Sequence, residues 1–304
     1  MARTRERGWP PAPDTLGEGV ELVDNHTHLG SAVDVLPAGE VVPTAEQEIA
    51  WARAAGVTRL VQVACDLDAI EPGLELARAH PEVLLAVAIH PNEAVLHAGV
   101  HEVAPDGLDP APQPRHATSL ADAIDAVARA AGEGRTRAVG ETGLDFYRGG
   151  ERAREVQRES FRAHIALAKE LALPLQIHDR EAHTEVIEIL LADGAPDVTV
   201  FHCFSGDAAM ARLCTDQGWY LSIAGPVTFK ANDDGRDTVR VAPLSRLLLE
   251  TDAPYLTPHP FRGRPNGPYL LPHTAREVAR VRQESVEHVA AVTTATAVEL
   301  YGPW

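Results

Sequence analysis

The chain has 304 residues, 45% hydrophobic and 23% charged, a length at which one large α/β barrel or two ordinary domains can each bury a substantial core. Its 27 Lys plus Arg against 44 Asp plus Glu leave a net charge of −17, which repels a polyanion from most of the surface and excludes broad wrapping of nucleic acid. Three cysteines without a CxxC pair exclude a disulfide framework and a zinc ribbon, and no run of about 18 apolar residues is present to span a membrane.

In chain order, the opening "MARTRERGWPPAPDTLGEG" is basic but runs into Pro and Gly without an apolar segment. Residues 1–20 are therefore expected to be a flexible tail rather than a secretory signal, and a reducing cytoplasm fits the cysteine usage. Eight apolar, β-branched-rich runs follow: "VELVDNHTHL", "VTRLVQVAC", "VLLAVAIH", "TRAVGETGLD", "LPLQIHD", "VTVFHCF", "GWYLSIAG" and "LSRLLLETDAP". Each is short enough for a strand. Segments with helical spacing lie between them: 44–55, 119–131, 151–172, 181–191 and 208–217. In 151–172, Phe161, Ile165, Ala168 and Ala172 recur at i+4, i+3 and i+4.

Strands that read as continuous apolar runs are buried on both faces, as in a parallel sheet covered by helices. Eight repeats of strand and helix predict a (β/α)8 TIM barrel, with an open doubly wound sheet as the alternative. No linker divides the series, so 21–304 is read as one domain. The Pro-rich stretch Pro105–Pro114 is read as a flexible loop after strand 3.

In a parallel barrel the chemistry collects at the carboxyl ends of the strands. There the runs carry His26 and His28, His90, Glu141, His178, His202 and Asp252. Residues i and i+2 share one face of a strand, so His26 and His28 can chelate a single ion. Alone, an HxH pair is better read as histidines satisfied at a strand end; recurrence of ligand-type residues at the same end of five further strands favours a metal. Glu141 follows a buried apolar run, where an unpaired carboxylate is costly. His178 and His202 on neighbouring strands point to a second ion. Neutral imidazoles and carboxylates suit zinc, manganese or magnesium. Cys65 and Cys203 read as small core fillers, His97 and His101 as solvated, and His116 and His273 carry no signal.

The ordered set "DNHTHL", "AIHPN", "VGETGLDFYR", "IHDR", "FHCFSG", "ETDAPYLTP" and "FRGRPNGP" resembles the TatD family of metal-dependent hydrolases, within the amidohydrolase superfamily, from about Leu22 to the C-terminus. The resemblance implies a (β/α)8 barrel with two divalent ions and hydrolysis of phosphodiesters in DNA. Carried over by position, His26, His28 and Asp252 resemble the ligands of one ion and His178 and His202 those of the other, with Glu141 bridging. Superfamily members that bridge their ions with a carbamylated lysine need one on strand 4; neither Lys169 nor Lys230 is there. The chain departs from the family pattern at Gly30, Asn92 and Gly267, none of them a ligand position.

On that reading Asp252 and Glu141 are catalytic, with Asp252 taking the proton of the attacking water. His90, Arg180 and Arg264 are expected to contact substrate, the arginines by forked bonds to phosphate. Phe146, Tyr147, Phe204 and Tyr255 are candidates to stack on a base. An acidic surface around a cationic centre suits a strand end or short single strand of DNA as substrate, with no membrane partner and the oligomeric state left open. Two other readings stand beside it: hydrolysis of a small amide, lactone or ester on the same scaffold, and a non-enzymatic metal- or partner-binding barrel.

Overall fold

The structure, a computed structural model, describes residues 8–36, 39–103, 107 and 110–304, with only the backbone of Asp34. Residues 1–7 of the expected tail and 105, 106, 108 and 109 of the expected Pro-rich loop lie outside the described residues.

Eight strands form one sheet in chain order: β1 Leu22–Thr27, β2 Val57–Ala64, β3 Val83–Val87, β4 Thr136–Asp145, β5 Leu175–Arg180, β6 Thr199–Phe201, β7 Tyr220–Ile223 and β8 Leu247–Leu249. They run parallel and alternate with helices, so the fold is a (β/α)8 TIM barrel. The helices are α1 Ala45–Ala54, α2 Leu67–Ala79, α3 Pro91–His97, α4 Leu120–Ala131, α5 Glu151–Leu171, α6 His183–Asp193, α7 Ala208–Asp216, α8 Asp233–Val241, α9 Leu271–Arg282 and α10 Val286–Tyr301. Several start where a side chain accepts from the first free N–H groups. Thr44 opens α1 in a capping box with Gln47, Ser119 caps α4 and Asp207 caps α7.

The chain packs as two compact units, one up to Gln62 with Gly206–Glu299, the other Val63–Ser205 with Leu300–Trp304. In the first, Leu22, Leu60, Leu247 and Leu248 are at most 1% exposed, each contributing roughly 1.5–3 kcal/mol by burial. There β1 meets the chain beyond β8: Thr27 bridges to Ala253, the His28 N–H donates to the Ala253 carbonyl at 2.8 Å and the Asp252 N–H to His26 O at 3.0 Å. The segment from Gly8 is tied into this unit. Arg264 Nε donates to Gly8 O at 2.7 Å, Tyr269 OH to Pro10 O at 2.8 Å, and the Trp9 ring lies 5.5 Å from that of Trp51.

In the second unit the side chains of Leu84, Leu85, Ile89, Leu144, Phe161, Ile165, Leu175 and Ile177 are fully buried. All of β4 but Arg137 is buried, which places Glu141 and Asp145 inside. Gly143 has φ 146°, and a Cβ there would lie 2.0 Å from the carbonyl oxygen of His178. Glycine is what allows β4 and β5 to approach beside two site residues.

Candidate metal centre

In the first unit, β1 and the residues after β8 carry one cluster. His26 Nε2 lies 3.3 Å from His28 Nε2 and 3.9 Å from Asp252 Oδ1, and His28 Nε2 lies 3.6 Å from the same oxygen. A tetrahedral ion with ligands at about 2.0–2.1 Å sets its donors about 3.4 Å apart, so this set fits one divalent cation. The parallel-strand period puts both imidazoles on one face, as expected.

Buried side chains beneath hold the geometry. Asp24 accepts from the Thr251 N–H at 2.9 Å and the His26 N–H at 3.3 Å through Oδ1, and from the Thr251 hydroxyl through Oδ2. Burial pushes its carboxyl up to about 8, although these bonds, the Thr251 pair foremost, pull the other way. Asn266, fully buried, donates to Thr251 O at 2.9 Å and to Tyr255 O at 2.6 Å, fixing the turn that carries Asp252.

In the second unit, β4, β5 and the residue after β6 carry another cluster. His202 Nε2 lies 2.8 Å and His178 Nδ1 3.1 Å from Glu141 Oε2, with the two nitrogens 3.5 Å apart. These spacings also fit a single ion. The other His178 nitrogen, Nε2, faces Asp145 Oδ2 at 3.5 Å. Asn92 donates to Asp145 Oδ2 at 3.0 Å, and Gln157 accepts from the Asp145 N–H at 2.9 Å. Burial alone would raise the Glu141 carboxyl, yet His202 and His178 hold it well below the ordinary range. Asp145 behaves alike: the His178 imidazole facing it overrides burial and brings it to about 2. His178 in turn is lifted against burial to about 9 by Asp145 and Glu141. The pocket therefore concentrates negative charge around imidazoles, the field a dication neutralises.

His90 caps α3, its Nδ1 accepting from the Asn92 N–H at 3.1 Å, with its ring 4.6 Å from that of His178. Burial, then the neighbouring His178, lowers it to about 4, so it is neutral near pH 7. Arg180 ends β5 with its guanidinium 4.0 Å over the Tyr147 ring. Arg264 bonds the Gly8 and Trp9 carbonyls, which ties part of its fork to the N-terminal segment. Phe146 is buried under Arg154 and Arg158, and Phe204 packs at 6.1 Å on Phe201. Tyr255, 42% exposed and 6.3 Å from the His28 ring, is the most open of the four aromatic candidates.

Asp145, Asn92 and Gln157 escaped the list of site residues drawn from the sequence. Asp145 had a signal: on β4 it shares the i, i+2, i+4 face of Glu141. His97 corrects an expectation outright. It is 5% exposed rather than solvated, because α3 turns it onto the rest of its unit.

With this geometry in hand, the chain matches the family model described as TatD related DNase over residues 23–302. It is 41% identical to the uncharacterised metal-dependent hydrolase TatD of Mycobacterium tuberculosis, over 92% of this chain and 98% of that protein. It is 34% identical to the 3'-5' ssDNA/RNA exonuclease TatD of Cronobacter sakazakii, over 84% of this chain and 91% of that one. Among solved structures, YJJV, a TatD homologue from Escherichia coli, superposes with a TM-score of 0.76 at 24% identity, covering 93% of this chain and 99% of that one. Two donor clusters suited to divalent ions, on a (β/α)8 barrel matched along its length, place this chain in the TatD-related DNase family of metal-dependent hydrolases.

Proposed function

We propose that the protein hydrolyses phosphodiester bonds of DNA, at strand ends or on single strands, with two divalent ions of the zinc, manganese or magnesium class. His26, His28 and Asp252 hold one ion, and Glu141, His178 and His202 the other. When bound, such ions acidify a water molecule and neutralise charge growing on phosphate oxygens. Asp252, partly open to solvent, takes the proton of the attacking water as general base. Asp24 and Thr251 keep that carboxylate in place. His90, neutral near pH 7, offers substrate a hydrogen bond without adding charge, and Arg180 offers the cationic edge of its guanidinium to phosphate. Arg264, bonded to the Gly8 and Trp9 carbonyls, seats the N-terminal segment beside the loop that carries it.

The observation that carries this reading is the pair of three-donor clusters, each of ion-binding dimensions, both built from the carboxyl ends of barrel strands. The relative named as a single-strand exonuclease supports nucleic acid as the substrate class. The test is end-labelled single- and double-stranded DNA, incubated with metal-reconstituted protein and with Glu141→Ala. Cleavage that needs both metal and Glu141 is expected. No such cleavage, with turnover of an amide, lactone or ester panel instead, would overturn it.

A further inference from the structure

In the second unit, α3 and the 3-10 turn Pro114–Ala117 bring Glu93, His97 and His116 together. One ligand atom from each lies within 4.8 Å of the others. Glu93 and His97 stand at i and i+4 on one face of α3. His97 Nδ1 donates to the Thr118 carbonyl at 2.8 Å, which fixes the tautomer and leaves the lone pair on Nε2. That nitrogen is buried with no hydrogen-bond partner, in a residue only 5% exposed. An imidazole held by a backbone carbonyl, with its other nitrogen free, is the usual posture of a metal-ligating histidine.

The charge around the group points the same way. Arg115 forks onto Glu93 at 2.7 and 3.1 Å, reaches Asp68 at 3.0 Å and lies 3.9 Å from Asp66. Three carboxylates against one guanidinium leave a net charge of −2 beside two imidazoles, the charge one dication cancels. Two nitrogens and one oxygen suit zinc rather than the oxygen-seeking magnesium.

We propose that Glu93, His97 and His116 form a structural site for a zinc-class divalent cation, separate from the candidate catalytic centre, that fastens the turn at 114–117 to α3. The ligands are a Glu93 carboxylate oxygen, His97 Nε2 and His116 Nε2, with water completing the tetrahedron. His116 Nε2–H now donates to Glu93 at 2.8 Å, while Nδ1 accepts from the Gln113 N–H at 2.7 Å. Coordination moves the ring proton from Nε2 to Nδ1. The Gln113 N–H, on an exposed residue, passes to water, and the ring stays neutral. Because His90 caps α3, the ion steadies a helix whose N-terminus meets the candidate metal centre.

The test counts zinc per chain by atomic emission after dialysis of the full-length protein against dilute zinc. His97→Ala and His116→Gln are each expected to hold about one zinc fewer than wild type, and the loss adds to that caused by Glu141→Ala. Zinc is also expected to raise the Tm of Glu141→Ala by more than that of Glu141→Ala with His116→Gln, in which only the cluster of His26, His28 and Asp252 is intact to hold an ion. If both single variants fold and carry as much zinc as wild type, or if zinc stabilises the double variant as strongly as Glu141→Ala, the site does not exist.

Discussion

Asp252 sits in a left-handed backbone conformation, φ 54°, a posture uncommon for a residue with a side chain. The Asn266 amide and the Asp24 carboxylate pay that cost through their bonds to the turn at Thr251. If Asp252 is the general base, Asp252→Asn retains an oxygen ligand but cannot take a proton. Its kcat is expected to fall about 10²- to 10⁴-fold with metal content largely kept, checked by rate and metal analysis on one preparation. An unchanged rate would move the base elsewhere. Asp145 acts through another residue. It faces the nitrogen of His178 opposite the one turned to Glu141, so it orients the ring and strengthens it as a donor. Asp145→Ala is expected to weaken metal binding about 10- to 100-fold, read by dialysis against buffered metal, with far-UV circular dichroism unchanged. Equal affinity in the two proteins would reduce Asp145 to a packing residue.

At the level of elements, β4 and β5 approach so closely that Gly143 has no room for a Cβ. Gly143→Ala must push the His178 carbonyl away, and it also strains φ at 146°. A loss of at least about 2 kcal/mol in stability is expected, with metal affinity falling alongside it because His178 moves; denaturant midpoints and dialysis measure the two. Helix α1 carries a different liability. Glu48, 2% exposed, accepts from the Gly30 N–H at 2.6 Å, yet burial raises its carboxyl to about 7. A carboxyl raised from its ordinary 4.5 contributes stability that is full below that pH and lost as pH rises through 7. Glu48→Gln keeps the acceptor and never ionises. It is expected to exceed wild type by about 1–3 kcal/mol at pH 8 and to match it near pH 4.5, in urea melts at both values. Equal stability at pH 8 would mean that water or a counter-charge already relieves the ion. The strand-end ligands were legible because a run apolar on both faces signals a parallel strand, and the barrel rule then says which end bears chemistry. Gly143 and Asp24 were not legible for the same reason: a strand buried on both faces gives no inside and outside to read. His97 was misread because Gly99 and its polar neighbours suggest a loop, while its partners Thr118 and His116 lie about twenty residues further along.

Over the whole molecule, the net charge of −17 and the two imidazole-carboxylate clusters make opposite demands on a polyanion. Outside the centre the field repels phosphate, and of 27 basic residues many are already paired with acids, as Arg59 is with Glu21, Arg115 with Glu93 and Arg158 with Glu185. If DNA is the substrate, a net charge of −17 disfavours a long phosphate track, and affinity is expected to come from a small footprint where bound ions outweigh the background. A single strand held by two or three phosphates releases few counterions. The logarithm of its binding constant is then expected to fall with the logarithm of salt at a slope of about −1.4 to −2.1. Fluorescence anisotropy of a labelled single strand on metal-loaded Asp252→Asn, which binds without cutting, measures that slope. A slope steeper than about −5 would demand seven or more phosphate contacts, a track this surface does not offer, and would force substrate binding onto a basic face not formed by this chain alone.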